Sequence, residues 1–394
     1  MGTTTTVILG GGFGGLAAAN TLRPLLAPAH EIVVIDQSSH FHVGAGKTWL
    51  MLGERTFEQI SQPRAALLVP GVEFIESNVL AIDLANRTVS TGSGPLQWDH
   101  LVIALGADLN AEKVPGLAEA AHTFYTVEGA QRLRPALERF SGGEVAILIP
   151  KVPFKCPPAP YEAAMLLHHA FERRGLGAKA RIAIFTAEGA PMSTAGPEMG
   201  QYIKQELAQR GIAFHPQKIA ARVDGTARRV LFEDGSEARY DLLIAVPPHE
   251  ASKVVREAGL TSQSGWIAVD ARTLRVTTRS EGSDIYAIGD ITAIPLPGRY
   301  RPDIALSLPK AGVFAEAHGR VVAHQIAAKI LGRAPSEDFD GIGFCYLETG
   351  GKRAVKADGS FFKLPHPVMQ KRLPDEAQFR DKLDWVAQHL RPVH

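Results

Sequence analysis

A glycine-rich turn between a strand and a helix constrains the fold of this chain more than any other feature. The β-branched and aliphatic run TTVIL is followed by GGGFGG and then by the helix-forming LAAANTL. Gly10, Gly12 and Gly15 fit the spacing G-x-G-x-x-G, in which the glycines permit a tight turn, a close phosphate approach and helix packing. The free N–H groups of the helix N-terminus favour negative charge. This pattern predicts that the turn binds the pyrophosphate of a dinucleotide.

Two later segments continue the same pattern. A second strand, EIVVID, ends in Asp36, where a carboxylate usually holds a ribose hydroxyl. WDHLVIALGA places an apolar strand before the turn at Ala104 and Gly106, and SDIYAIGDI, residues 283–291, does the same before Gly289 and Asp290. Asp290 can contact the bound dinucleotide and can also cap the helix that follows, and the two roles are compatible. Because a long stretch separates these segments, we expect a nucleotide-binding domain split by an insertion.

The insertion reads as a second α/β unit without a phosphate-binding turn. GGEVAILIP, residues 142–150, and RIAIFTA predict buried strands, with a helix over 198–210 and a strand over 212–214. In a nucleotide-binding domain, a glycine fingerprint would follow the first strand, but here PKVPFKCPPAPYEAAMLL follows it. The prolines stiffen this turn and leave a pyrophosphate no close backbone approach. The sequence therefore predicts a degenerate domain and makes an NADH dehydrogenase or a disulfide reductase unexpected.

Charge and cysteine content exclude several classes of protein. The 42 basic and 41 acidic residues nearly cancel, so we expect no nucleic-acid partner. Two cysteines are too few for a disulfide scaffold, which suggests a chemical role for both. Cys156 is flanked by Lys151 and Lys155 and precedes a predicted helix, features that favour the thiolate. An inert buried cysteine is the alternative.

The chain ends contribute expectations about location. The N-terminus shows no basic region followed by an apolar stretch, and no run of about 18 apolar residues occurs, so we expect no signal peptide and no spanning helix. A location in the cytoplasm or on the periphery of the inner membrane follows. The C-terminal stretch is amphipathic, so it can dock on a membrane or be buried against the protein. Its apolar positions are Phe379, Leu383, Val386 and Leu390, next to Trp385, with Arg380, Lys382 and Arg391 among the polar ones.

From end to end, the chain resembles the two-dinucleotide-binding flavoproteins. KCPPAPYE around Cys156 and FCYLETG around Cys345 resemble the redox cysteines of sulfide:quinone oxidoreductases and of the flavoprotein subunit of flavocytochrome c sulfide dehydrogenase. The resemblance implies an α/β fold with two Rossmann-like dinucleotide-binding domains and a short C-terminal region. The FAD-binding domain is split between residues 1–115 and 265–332, the degenerate NAD-type domain covers 116–264, and the C-terminal region covers 333–394.

The resemblance implies FAD as cofactor and no metal. Many quinone-linked members carry a third cysteine, but residues 107–155 contain none. Some members have catalytic histidines, of which His122 lies in the first matching region and PMSTAGPEMG supplies none in the second. The cofactor-binding residues expected from the motifs are Gly10, Gly12, Gly14, Gly15, Asp36, Val79, Ala104, Gly106, Gly289, Asp290 and Lys310.

The implied reaction is the oxidation of sulfide to zero-valent sulfur or polysulfide, with electrons passed through FAD to quinone. Cys156 and Cys345 form the redox pair. Glu162 is a candidate catalytic proton acceptor, against the reading of a solvated helix carboxylate. Lys310 is expected near the pyrimidine edge of the flavin, and the alternative is an ordinary surface lysine. Aromatic residues near Cys345 are expected either to line a quinone pocket or to form core: Phe344, Tyr346, Phe361 and Phe362.

Two other functions remain open at this stage. A cytochrome c protein can replace quinone as electron acceptor, although the chain has no C-x-x-C-H haem motif of its own. A non-catalytic flavin-binding redox sensor is the alternative from another class. A homo-oligomer is expected in either case.

Overall fold

A five-stranded parallel sheet forms the first layer of the fold. The computed structural model describes residues 2–278 and 284–393, so Met1, His394 and Ser283, the first residue of SDIYAIGDI, lie outside it. One strand of the sheet comes from the later segment, as expected for a domain split by an insertion. In spatial order the strands are Ile285–Ala287, His100–Ile103, Thr5–Leu9, Glu31–Asp36 and Glu73–Glu76.

Helix packing covers this sheet because its central strands are apolar on both faces. Val7, Ile8 and Leu9 are all completely buried, as is typical of a parallel sheet covered on both sides. The helices Phe13–Leu22 and Gly312–Leu331 pack against each other. A Cβ added at Gly319 would lie 2.3 Å from Gly14 O, so this contact requires glycine.

A second parallel sheet lies in the inserted segment. Its strands, in spatial order, are Ala213–His215, Ala180–Thr186, Gly143–Ile149 and Leu242–Ala245. The α/β architecture with two Rossmann-like units is confirmed, with the predicted helix and last strand displaced by one residue. The boundaries at 115, 264 and 332 stay predictions. The helices of this part are Leu117–Ala120, Val127–Arg139, Ala159–Arg173, Pro197–Gln209 and Lys253–Glu257.

The C-terminal region is an antiparallel sheet covered by one helix. Its strands are Ile342–Gly350, Arg353–Ser360 and Val368–Asp375, followed by the helix Glu376–Gln388. Of the two alternatives expected for the apolar face of this helix, the structure shows burial against the protein itself. Val386 is buried, and the flanking apolar residues pack against the core: Phe379, Leu383, Trp385 and Leu390.

Smaller elements connect these layers. In the described residues, no helix is both long enough and apolar enough to cross a bilayer. A short helix, Lys47–Leu52, lies in the connection between the paired strands His40–His42 and Ser61–Pro63. The small antiparallel sheets are Val79–Asp83, Thr88–Thr91 and Gly94–Gln97; and Ala220–Asp224, Arg229–Phe232 and Glu237–Arg239. The paired short strands are His40–His42 with Ser61–Pro63, Asp108–Leu109 with His249–Glu250, and Ile267–Ala268 with Thr292–Ala293.

Candidate active site

A cavity of about 1800 Å³ opens at the carboxyl ends of the first sheet. Open α/β sheets bind their ligands at this edge. The binding crevice lies where the strand order reverses, so that the connections from two neighbouring strands leave in opposite directions. The cavity also reaches the segment around Cys156 and the C-terminal sheet around Cys345. It brings together nearly all the predicted site residues: Gly10, Gly12, Gly14, Asp36, Val79, Ala104, Gly106, Cys156, Glu162, Gly289, Asp290, Lys310 and Cys345.

The fingerprint turn has the geometry of a phosphate site. Gly10 has φ +102°, and an added Cβ would lie 2.4 Å from Ala104 O. Gly15 does not line the cavity, because its role is packing: an added Cβ would lie 1.8 Å from Gly10 O. An added Cβ at Gly12 would meet no atom within 4 Å, and this residue caps the helix without a side-chain hydrogen bond. The turn therefore has room and free N–H groups for a pyrophosphate.

Asp36 is fixed against this turn by an arginine that sequence analysis missed. Its Oδ2 atom accepts a hydrogen bond from Gly11 N at 2.8 Å and lies 3.2 Å from a guanidinium nitrogen of Arg64. Arg64 is buried and donates from Nε to Gly11 O at 2.8 Å. A cation is thus held beside the turn, where a dinucleotide brings negative charge. No local pattern marks Arg64, because only the fold brings it to the turn.

Asp290 and Lys310 occupy the other end of the predicted cofactor site. The Oδ1 atom of Asp290 is buried without a hydrogen-bond partner among the residues described, which suits a hydroxyl donor from the ribityl chain. Lys310 is not a surface lysine: it is 7% exposed and donates to Asp290 O and Thr292 O. Its Nζ atom lies 3.5 Å from the Trp266 ring centroid. Burial lowers the pKa of Lys310 to about 8.

Cys156 is presented on a strained turn. Its φ of +55° lies in the left-handed region, which costs energy for a residue with a Cβ. Two backbone hydrogen bonds hold it there: Cys156 N donates to Lys310 O at 2.7 Å, and Ala159 N donates to Cys156 O at 2.9 Å. The second bond ties the turn to the helix that begins at Ala159. The backbone therefore fixes this cysteine next to the Lys310 segment.

The electrostatics of the two thiols differ from the expectation. Burial raises the pKa of Cys156 to about 11, and the charge of Glu162 adds to this effect. The predicted lowering by Lys151 and Lys155 is wrong, because burial dominates and Lys151 is exposed. Burial, followed by the charge of Cys156, raises the pKa of Cys345 to about 12. Both cysteines are free thiols in this structure, and neither is a thiolate at neutral pH.

Glu162 belongs to a buried charge network rather than to a solvated helix face. Its Oε1 atom lies 3.0 Å from Lys382 Nζ, and its Oε2 atom accepts from Glu348 N at 2.9 Å. Lys382 Nζ also lies 2.8 Å from Glu348 Oε1, to which Trp49 Nε1 donates at 2.8 Å. Glu162 lies on the helix that begins three residues after Cys156, and Glu348 follows Cys345 on one strand. The network therefore joins the helix next to Cys156 to the strand that carries Cys345.

Lys382, expected as one of the polar positions of the amphipathic C-terminal helix, is instead a buried member of the site. It is 1% exposed, and the two carboxylates raise its pKa. Burial raises the pKa of Glu162, and Lys382 opposes this shift. Because two carboxylates share one ammonium, the network has one excess negative charge and can take up a proton. A proton acceptor beside the cysteines needs this property.

The raised pKa of Cys156 gives a direct prediction. In a reduced Cys345→Ser chain, the rate of Cys156 alkylation by iodoacetamide should still rise about tenfold per pH unit between pH 8 and 10, because only the thiolate reacts. Glu162→Gln should increase the rate at pH 8, since it removes a negative charge that raises the thiol pKa. Glu172→Gln, on an exposed position of the same helix, is the control. A plateau below pH 9 in the Glu162-containing chain would contradict the structure.

An acidic residue at the end of a strand in the second sheet is buried and hydrogen-bonded. Glu188 lies two residues after the strand Ala180–Thr186, where an acidic residue of a nucleotide domain would face a ribose. Here the carboxylate is turned inward, accepting hydrogen bonds from Tyr161 Oη and from Thr186 Oγ1. Burial raises the pKa of Glu188 to about 7. This arrangement agrees with the degenerate domain expected from the missing glycine fingerprint.

The aromatic residues near Cys345 divide into two groups. Phe344, Tyr346 and Phe361 line the cavity, whereas Phe362 does not. Trp385, from the C-terminal helix, joins them and stacks on Phe13 of the fingerprint turn, with centroids 5.5 Å apart at an interplanar angle of 17°. The cavity next to Cys345 is therefore aromatic, as expected for a flat ring. His122 lies outside this cavity, with its backbone bridged to Ile244 of the second sheet.

The fold and the site define a flavoprotein oxidoreductase with two dinucleotide-binding units. Residues 4–318 match the family model described as pyridine nucleotide-disulphide oxidoreductase, so the chain belongs to that family. Its cofactor is FAD, and the open fingerprint turn, the buried Asp290 oxygen and the uncapped helix N-termini fit this dinucleotide.

The relatives confirm the resemblance that the cysteine motifs indicated. The chain is 29% identical to the sulfide-quinone reductase of Aquifex aeolicus over 82% of this chain and 76% of that protein. It is 24% identical to the mitochondrial sulfide:quinone oxidoreductase of Mus musculus over 91% of this chain and 78% of that one. The solved structure of the Aquifex aeolicus sulfide:quinone oxidoreductase superposes with a TM-score of 0.86 at 25% identity, covering 98% of this chain and 90% of that chain.

Proposed function

We propose that this protein oxidises sulfide to zero-valent sulfur or polysulfide and passes the electrons through FAD to quinone. The observation that carries this proposal is the shared cavity, which is lined by the dinucleotide fingerprint and by both cysteines. A dinucleotide bound at the first sheet would then face Cys156 of the inserted segment and Cys345 of the C-terminal sheet. The similarity to sulfide:quinone oxidoreductases of Mus musculus and Aquifex aeolicus supports the same reaction.

The chemistry begins at the oxidised cysteine pair. Hydrosulfide attacks the Cys156–Cys345 disulfide, so that one sulfur–sulfur bond forms and the bond between the cysteines breaks. One cysteine becomes a persulfide, and the other takes the electron pair as a thiolate. Glu162, with its raised pKa, takes the proton of the incoming sulfide. Departure of the outer sulfur as zero-valent sulfur would leave both cysteines reduced, and re-formation of the Cys156–Cys345 disulfide would then release two electrons. Bound FAD would supply the acceptor for these two electrons and would pass them on to quinone.

The aromatic end of the cavity supports quinone as the acceptor. Phe344, Tyr346 and Trp385 offer flat apolar faces to a ring. The test is steady-state turnover with sulfide and either a short-chain ubiquinone or cytochrome c. Turnover with quinone supports the proposal. Turnover with cytochrome c alone would indicate an electron acceptor of the flavocytochrome c type. No turnover with either acceptor would favour the redox sensor.

A peripheral membrane contact is proposed for the C-terminal sheet rather than for the C-terminal helix. Ile342 and Val368 both pair with Ser360, so their side chains point to the same face. They are 58% and 43% exposed, and Leu364 in the adjoining loop is 72% exposed. Large exposed apolar side chains in one patch are typical of an interaction surface. A quinone held in a bilayer would be reached from such a surface.

Replacement of Leu364 by Glu should reduce binding of the protein to liposomes of bacterial polar lipids at least about threefold in co-sedimentation, because a charge in the interface is costly. Ile219→Glu, at an exposed apolar residue of the inserted domain, is the matched control and should bind as the parent does. Equal binding by parent and Leu364→Glu would contradict the contact. The expected homo-oligomer stays a prediction that sedimentation velocity would check.

A further inference from the structure

One cation in the cavity is not accounted for by the cofactor site or by the charge network. Lys47 begins the short helix Lys47–Leu52, is 9% exposed and lines the cavity. Over residues 2–278 and 284–393, its ammonium has no hydrogen bond and no salt bridge. A buried ammonium without a partner is unfavourable, and burial lowers the pKa of Lys47 to about 7. An anion in the adjoining space would stabilise its charged form.

The charges around Lys47 show which part of the cavity it serves. Those that act on it are Lys155, Cys156, Asp290 and Glu128. The next residue, Thr48, donates from Oγ1 to Glu162 Oε1 at 3.2 Å, and Glu162 lies in the first turn of the helix that follows Cys156. Lys47 therefore lies at the Cys156 end of the cavity, within the field of Asp290 as well.

We propose that Lys47 forms an anion-binding subsite beside Cys156 that takes hydrosulfide and other small monoanionic sulfur nucleophiles. The substrate assignment rests on the proposed function. One negative charge is conserved when hydrosulfide opens the disulfide: the nucleophile loses its charge as the new sulfur–sulfur bond forms, and the departing cysteine gains it as a thiolate. When Cys156 is the departing cysteine, Lys47 faces one anion before and after the step, with Lys155 adding to the positive field.

The test compares two alkylating reagents of nearly the same size, the anion iodoacetate and the neutral iodoacetamide. Both react with the thiolate of Cys156, so the ratio of their rate constants does not depend on the thiol pKa. The measurement uses the reduced, FAD-loaded Cys345→Ser chain, in which Cys156 is the only cysteine. Lys47→Met should lower the iodoacetate-to-iodoacetamide ratio about threefold at pH 7, because one unit charge at contact distance in water is worth about fivefold and a lysine with a pKa of about 7 carries it about half of the time.

Two controls define the result. Lys151→Met removes an exposed lysine near Cys156 that does not line the cavity, and it should leave the ratio unchanged. Lys47→Arg keeps the charge and should keep the ratio within about twofold of the parent. If Lys47→Met does not fold, Lys47→Gln takes its place. An unchanged ratio in the neutral variants, or an equal fall in Lys151→Met, would overturn the subsite.

The alkylation experiment uses neither sulfide nor quinone, so it separates this proposal from the function on which it rests. A lowered ratio together with no flavin reduction by sulfide would support the anion subsite and reject the sulfide substrate. Flavin reduction by sulfide together with an unchanged ratio would support the function and reject Lys47 as its anion-binding residue.

Discussion

Replacement of either Cys156 or Cys345 by serine should lower the rate of flavin reduction by sulfide roughly a thousandfold or more. Each cysteine is needed because one sulfur holds the product while the other leaves as the thiolate. A serine oxygen cannot form the disulfide that sulfide attacks. The measurement is anaerobic stopped-flow mixing of the FAD-loaded variants with sulfide, followed by flavin absorbance.

The FAD content and the thermal midpoint of each variant serve as controls for folding. Reduction of the two variants by dithionite should remain fast, since that reductant does not require the cysteine pair. Near-parental reduction by sulfide in either variant would contradict a mechanism through the pair. It would also leave the strained turn at Cys156 without a catalytic explanation.

Replacement of Lys382 by methionine should lower the free energy of unfolding by about 3 to 5 kcal/mol, because it leaves two buried carboxylates without their shared cation. Lys382 Nζ lies 3.0 Å from Glu162 Oε1 and 2.8 Å from Glu348 Oε1. Urea unfolding of the FAD-loaded protein, followed by far-ultraviolet circular dichroism, measures the loss. Arg380→Met, at an exposed position of the same helix, should cost little.

The loss should depend on pH in a direction that the network dictates. Without Lys382, the pKa of Glu162 in the folded protein rises further above its unfolded value. The folded state then binds more protons than the unfolded state, so stability falls as pH rises. The variant should therefore regain part of the lost stability between pH 8 and pH 5. A pH-independent loss, or one no larger than that of Arg380→Met, would contradict the buried network.

Local patterns were sufficient to predict both parallel sheets. The glycine spacing at Gly10, Gly12 and Gly15 depends on backbone geometry that only glycine permits, so it can be recognised without a structure. The apolar runs EIVVID and GGEVAILIP form buried strands because parallel sheets are covered on both faces. The later segment that completes the first sheet could be placed because it repeats the strand-and-turn pattern.

The charged residues of the site could not be predicted in this way. Arg64, Lys47 and Lys382 reach the cavity through tertiary packing, and nothing in their neighbouring sequence distinguishes them from surface cations. The amphipathic pattern around Lys382 was correct, but it does not specify whether a membrane or the protein covers the apolar face. The thiol pKa of Cys156 was misjudged because flanking lysines are visible in sequence, whereas burial is not.

Anaerobic titration of the yellow, FAD-loaded protein with sulfide tests the central claim most directly. The proposed function predicts that sulfide bleaches the flavin absorbance and that a short-chain ubiquinone then restores it. The recovered electrons should equal two for each zero-valent sulfur formed. Flavin absorbance that does not change on addition of sulfide would contradict the claim.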